Sequence, residues 1–295
     1  MDWLLNLLAR IDERADAAVA WLTANKVPVG RWARAGVDWL TANAAGAFDA
    51  LSEALQGFID TILVVLKAPN PLIVVAALAL LSLWLRRSAL VAAFVALGLV
   101  FIINLGFWEE TTETLTLIAA ATLVCMAVGV PVGIAAAHRP WLMNGLRPIL
   151  DLMQTLPSFV YLIPAIIFFG IGMVPGLIAT IIFVLPAPIR LTQLGISSTP
   201  RPLREAADAF GATRWQRLWK VELPHAAPQI MAGLNQTIML SLSMVVIAAL
   251  VGADGLGIPV VRALNSVNLA LGFEAGLAIV LVAIILDRVL RRPER

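Results

Sequence analysis

Thr114–Ala137 reads TLTLIAAATLVCMAVGVPVGIAAA, 24 consecutive residues without Asp, Glu, Lys or Arg. A helix that crosses the hydrocarbon core of a bilayer needs about 20 predominantly apolar residues. An amphipathic surface helix would confine its apolar residues to one stripe, and this run does not. It therefore sets the fold class: all-α, a polytopic helical membrane protein. The composition agrees. Of 295 residues 60% are hydrophobic and 14% charged, with a mean hydropathy of +0.90. A soluble domain carries about 25% charged residues. These values exclude a water-soluble enzyme, a nucleic-acid-binding domain and a disordered chain.

Outward from that run, further apolar segments predict about seven spans. They are Pro71–Leu85, Ala89–Phe107, Thr114–Ala137, Pro157–Gly172, Leu177–Ile196, Pro228–Val251 and Glu274–Leu290. The first is the shortest, and Pro131 is positioned to kink the third. Residues between His138 and Leu156 read as a connecting segment, and Gly252–Gly272 as a Gly-rich loop. The chain divides into an N-terminal region (1–68), peripheral spans (69–108), a core (109–291) holding a polar stretch (197–225), and a tail (292–295). Arg86, Arg87, Arg139, Arg147, Arg201, Arg204, Arg214, Arg217, Lys220, Arg288, Arg291, Arg292 and Arg295 fall on one side; the opposite short loops hold only Arg262. The excess of Lys and Arg marks the cytoplasmic side. The polar stretch and C-terminus are thus expected in the cytoplasm, and the N-terminus outside.

The N-terminal region contains apolar residues at helical spacing, among them Trp3, Leu4, Leu7, Leu8 and Ile11, then Phe48, Leu51, Leu55, Phe58, Ile59 and Ile62. Pro28 and Gly30 are expected to break the helix. Its helices suit either the membrane surface or packing on the rest of the protein.

Chemistry is sparse. One cysteine, Cys125, and two distant histidines, His138 and His225, give neither a disulfide framework nor a zinc site. Lys26, Lys67 and Lys220 are followed by Val or Ala. A phosphate-binding P-loop needs Gly-Lys-Ser/Thr, so the chain has no ATP-hydrolysing loop of its own.

The informative segment is Leu203–Pro224. Thr199, Pro200 and Pro202 suit a helix start, and Leu203, Ala206, Ala207 and Phe210 then share one face. Gly211 would end that helix. A basic, aromatic element follows at Trp215–Lys220, and Pro224 is expected to break the chain before the next span. Small and apolar residues beside cations make a surface suited to a partner protein.

Glu205-Ala206-Ala207, three residues, Gly211, nine residues, Val221, one residue, Leu223-Pro224 resembles the EAA loop of ABC importer permeases, with Val221 in place of the more usual Ile. Met153–Pro164, Asn235–Leu250, Gly272–Ile279 and Ile284–Arg288 are similar to the glycine betaine/proline/choline permeases of that class. The resemblance covers roughly residues 90–291 and implies a type I ABC importer permease core. It also implies a bacterial inner-membrane location, a second permease copy, a cytoplasmic ABC ATPase dimer and an external solute-binding protein, all amid membrane lipids. ATP and Mg would be held by the ATPase, and this chain would carry no cofactor. Glu205, Ala206, Ala207, Gly211, Leu223 and Pro224 would form the coupling element.

Within the spans, Asn235, Gln236 and Ser243 line up with Thr237 and Ser241, and Gln236 and Ser243 share a face. They suit either a translocation path or interhelical hydrogen bonds. Tyr161, with Phe159, is the best placed aromatic for a quaternary ammonium ligand, but two rings do not make a cage. Selection is therefore expected to rest with the external binding protein. Arg190 is expected to snorkel to the interface, and Gly129 and Gly133 to serve helix packing. Readings left beside this one are a permease for another small solute such as an amino acid, an ion-coupled secondary transporter, and a membrane-anchored scaffold. The uncharged central spans oppose the transporter reading.

Overall fold

The computed structural model describes residues 2–290, and among these every regular element is helical. In chain order they are α1 (Asp2–Ala24), α2 (Val29–Lys67), α3 (Pro71–Arg86), α4 (Ala89–Asn104), α5 (Trp108–His138), α6 (Pro140–Thr155), α7 (Ser158–Phe169), α8 (Met173–Val184), α9 (Pro186–Ser197), α10 (Arg201–Ala209), α11 (Arg214–Arg217), a π-helical turn (Leu218–Glu222), α12 (Leu223–Ala249), α13 (Gly257–Asn265) and α14 (Leu269–Leu290). The gap between α1 and α2 falls at Pro28, where the sequence placed it.

The chain divides by packing into residues 1–47 and 48–295. In the first unit no described residue is buried, and Trp3, Trp21, Trp32 and Trp39 are all exposed. Leu55, Phe58, Ile59 and Ile62, grouped with the N-terminal region on sequence, pack in the second unit against Leu117, Met173, Val174 and Leu177.

The centre of the second unit is α5 packed on α9, with α12 alongside. Two glycines permit it. A Cβ built at Gly129 would lie 2.8 Å from Pro188 Cγ, and one at Gly133 would lie 2.7 Å from the Ile189 carbonyl oxygen. Real Cβ atoms do not approach so closely, so the two backbones touch only because these positions lack side chains. Lipid offers helices no hydrophobic drive to associate, and small-residue seams of this kind supply the contact instead. A second cluster joins α4, α12 and α14 through Val95, Leu99, Ile102, Leu242, Val245, Val282 and Ile285.

About seven spans are expected; by length and apolarity four helical stretches qualify, up to six if each bent pair is one span, and Ala89–Asn104 is a further, shorter apolar helix. Four helical stretches are long and apolar enough to cross a bilayer: Trp108–His138, Met173–Ser197 through Pro186, Arg214–Ala249 through the π turn, and Leu269–Leu290. The segment expected to cross at Pro157–Gly172 contains only the 12-residue α7, about 18 Å long. It meets α6 at a 95° break, so the supposed connector 140–155 is a helix and the pair makes one broken span or a re-entrant loop. The helix ending at Lys67 meets α3 at 97° in the same way. At 16 residues α3 and α4 each reach about 24 Å, short of the roughly 30 Å core. The loop expected at 252–272 also contains a helix, α13.

Candidate functional site

The segment 199–224 folds as the prolines and glycine dictate. α10 starts immediately after Pro200, with Pro202 in its first turn, where a missing N–H costs nothing. Gly211 follows with φ +74°, the left-handed region that a side chain disfavours. Its amide donates to the Asp208 carbonyl at 3.0 Å, and that of Ala212 to the Ala207 carbonyl at 3.0 Å, closing the helix end. Thr213 then caps α11 reciprocally: its hydroxyl accepts from the Gln216 amide at 3.3 Å, and the Gln216 side chain accepts from the Thr213 amide at 2.9 Å.

α10 buries none of its residues. Leu203, Glu205, Ala206 and Phe210 are exposed, Phe210 at 93%, while Ala207 is half-buried. The face that the sequence assigned to a partner is thus open. Beside it Trp215 and Trp219 meet edge to face at 5.7 Å, and both are exposed. Arg201, Arg204, Glu205, Asp208 and Arg217 line a shallow polar depression. The inner side is anchored. Leu218, Ala226 and Ile196 form a buried cluster flanked by Ile134, Ala137, Leu223 and Ile230. Leu223 therefore packs between the element and the bundle. Pro224 does not break the chain as expected. It lies in the first turn of α12, and the helical path runs unbroken from Arg214 to Ala249. The π turn widens the hydrogen-bond ladder directly before the proline, where a proline ring would otherwise crowd the preceding turn.

A residue that sequence reasoning passed over stands at this junction. Glu222 is only 2% exposed. Its Oε2 lies 2.7 Å from His138 Nε2, and its Oε1 lies 3.3 Å from Arg217 Nε. The other face of Arg217 holds Asp208, with Nη1 at 2.9 Å from both carboxylate oxygens. His138 Nδ1 donates to the Ile134 carbonyl at 2.9 Å. The available signal was a single acid, Glu222, in the apolar setting Val221–Leu223.

The Arg190 guanidinium pairs with Asp151 of α6 at 2.6 Å. The intramembrane candidates do not form one cluster in a single place. Gln236 and Ser243 are both exposed on α12, whereas Asn235 is half-buried with its Oδ1 lacking a partner. Tyr161 is buried among Leu162, Ala179, Met244 and Val251, and its hydroxyl is likewise unpartnered. Interhelical bonds do not account for the span's hydroxyls. Thr237, Ser241 and Ser243 each donate to a carbonyl one turn back on α12 itself, at 2.8, 2.8 and 3.2 Å.

At the far end of α5, Lys67 donates to Glu113 at 3.1 Å and lies 3.6 Å from Glu109. Its hydrogen bond to Glu113 holds the Lys67 ammonium above the usual lysine range. Among the described residues no His/Cys/Asp/Glu group is arranged to hold a metal ion.

Residues 129–294 match the family described as "Binding-protein-dependent transport system inner membrane component". The chain is 46% identical to the glycine betaine/carnitine transport permease protein GbuB of Listeria monocytogenes, over 82% of this chain and 87% of the relative. It is also 46% identical to the glycine betaine transport system permease protein OpuAB of Bacillus subtilis, over 83% and 86% respectively. Among solved structures it is similar to a chain of the inward-facing MetNI methionine ABC transporter, at 23% identity and a TM-score of 0.56, over 64% of this chain and 96% of that one. That likeness concerns the fold.

Proposed function

The chain belongs to the binding-protein-dependent transport system inner membrane components, and from that membership we propose that it is the permease subunit of an ATP-driven importer of glycine betaine or a related quaternary ammonium osmolyte such as choline. The solute follows the two relatives, both named for glycine betaine transport. An amino acid or other small solute is the second reading. An ion-coupled secondary transporter does not fit a family defined by a separate binding protein.

The observation that carries the reading is α10: a short helix outside the bundle with an open face of Leu203, Glu205, Ala206 and Phe210, tethered to the bundle through Leu218 and Leu223. Such an element suits docking to a cytoplasmic ATPase, with Ala206, Ala207 and Gly211 allowing close approach and Glu205 fixing the angle. With no P-loop of its own, the permease receives work by contact. A second copy of the chain would complete the path, and Gln236 and Ser243, facing outward from α12, would line it with Asn235 and Tyr161 nearby. The 197–225 element and the C-terminus would face the cytoplasm, and the N-terminus the outside.

The test is uptake into vesicles that hold the chain, its ATPase and its binding protein, across a panel of quaternary ammonium solutes and amino acids. Glycine betaine uptake that requires ATP, and is abolished by Glu205→Lys with Gly211→Val while membrane insertion persists, is the expected result. Normal uptake by that double variant would contradict the coupling role. Preference for an amino acid would select the second reading.

A further inference from the structure

Glu222 is buried and held by two side chains that belong to different parts of the fold. Arg217 lies on the docking element and also grips Asp208 of α10. His138 is the last residue of α5, the central helix of the bundle, 84 positions away in sequence. The four side chains form one continuous chain of polar contacts: Asp208, Arg217, Glu222, His138. Each link is 3.3 Å or shorter. It runs from the exposed helix to the end of α5 and passes through the π turn, the one place where the helical ladder of 214–249 is re-registered.

We infer that this Asp208–Arg217–Glu222–His138 chain is the element that transmits displacement of α10 to α5, so that Arg217, Glu222 and His138 are positioning residues for energy coupling. The inference rests on the proposed docking of α10 to an ATPase and adds which residues carry the motion onward. The apolar anchor at Leu218 can slide, because dispersion contacts are weak individually and not directional. Hydrogen bonds fix distance and angle at Asp208–Arg217 and Glu222–His138, and the ion pair of Arg217 Nε with Glu222 Oε1 at 3.3 Å joins the two. A carboxylate as buried as Glu222 must keep its partners, since an unpaired buried charge is costly. If α10 shifts, Arg217 shifts with it through its two bonds to Asp208. Glu222 then follows Arg217, and the end of α5 follows Glu222. No other described ion pair joins α10 or α11 to a helix of the bundle.

The experiment uses the full importer in vesicles and measures two rates on each preparation: glycine betaine imported and ATP hydrolysed. Variants are Glu222→Gln, His138→Leu, His138→Gln and Asp208→Asn. The last changes an exposed side chain and cuts the chain at its outer end, so it tests the idea even if a change at Glu222 lowers assembly. Solute imported per ATP should fall at least about fivefold in Glu222→Gln, His138→Leu and Asp208→Asn, the scale of ordinary coupling energies. His138→Gln, which keeps a donor toward Glu222, should recover most of the ratio. An unchanged ratio in all of them overturns the inference, and so does a loss of assembled importer that leaves the ratio per complex intact, because both describe a structural brace. A wild-type chain that never associates with the ATPase would overturn the docking premise itself, a result visible before any variant is made.

Discussion

The two ends of α5 carry opposite designs. At its start, Lys67, its side chain 36% exposed, bridges Glu109 at 74% and the more enclosed Glu113 at 16%. At its finish, about 45 Å away, His138 meets a carboxylate almost wholly withdrawn from water. In the first arrangement water reaches Lys67 and Glu109, screens that pair and lets its members separate with little loss. The second cannot come apart cheaply, because Glu222 has nowhere to find water. One end can therefore tolerate change, whereas the other must move as a unit or be rebuilt.

Three changes break or sharpen that contrast. The largest effect belongs to neither end but to the helix that joins them: Gly133→Leu forces a side chain into the Ile189 backbone and Thr192. Overpacking costs about 1–3 kcal/mol or more. Thermal unfolding in detergent should show a large drop, and little folded protein should reach the membrane; a variant that melts with wild type would mean that the seam can open. Next comes Glu222→Ala, which strips a hydrogen-bonded partner from His138 and an ion-pair partner from Arg217. A loss of about 1–3 kcal/mol is expected from the same melting measurement. The smallest change is Glu109→Ala, below about 1 kcal/mol and diminishing as salt is raised. Equal losses at Glu222 and Glu109 would erase the distinction between the two ends.

The pH behaviour of the exposed end follows from Lys67. Its folded-state affinity for a proton is raised, chiefly by the hydrogen bond to Glu113. The stabilisation is therefore complete below the ordinary lysine range and is lost as pH rises through and above it. Melting temperature should not respond to this pair between neutral pH and the onset of lysine titration.

Features that depend on the local backbone were legible in the sequence. Pro200 and Pro202 placed the start of α10, and Gly211 its end, because each fixes or frees φ at its own position. The Gly129/Gly133 seam was legible as a small-residue pair, though its partner α9 was not. The sequence did not reveal links between distant segments. His138 and Glu222 are each unremarkable among their neighbours and acquire meaning only when α5 and the π turn meet. The bends within the spans were hidden for a related reason. Hydropathy measures apolar length but not direction, so α6 and α7 around the Leu156–Pro157 bend looked like a connector and a span. Pro224 misled in the opposite sense, because the π turn that accommodates it has no sequence signature. The exposed face of α10 was foreseen from the small and apolar spacing of Leu203, Ala206, Ala207 and Phe210.

The bare contact of Gly129 and Gly133 with Pro188, Ile189 and Thr192 has a mechanical corollary. Two rods welded where neither has bulk cannot shear without opening a gap that nothing nearby can fill. α5 and α9 consequently travel as one beam. Whatever rocking admits and releases cargo must bend the molecule elsewhere, at joints the chain already possesses, such as the Leu156–Pro157 elbow.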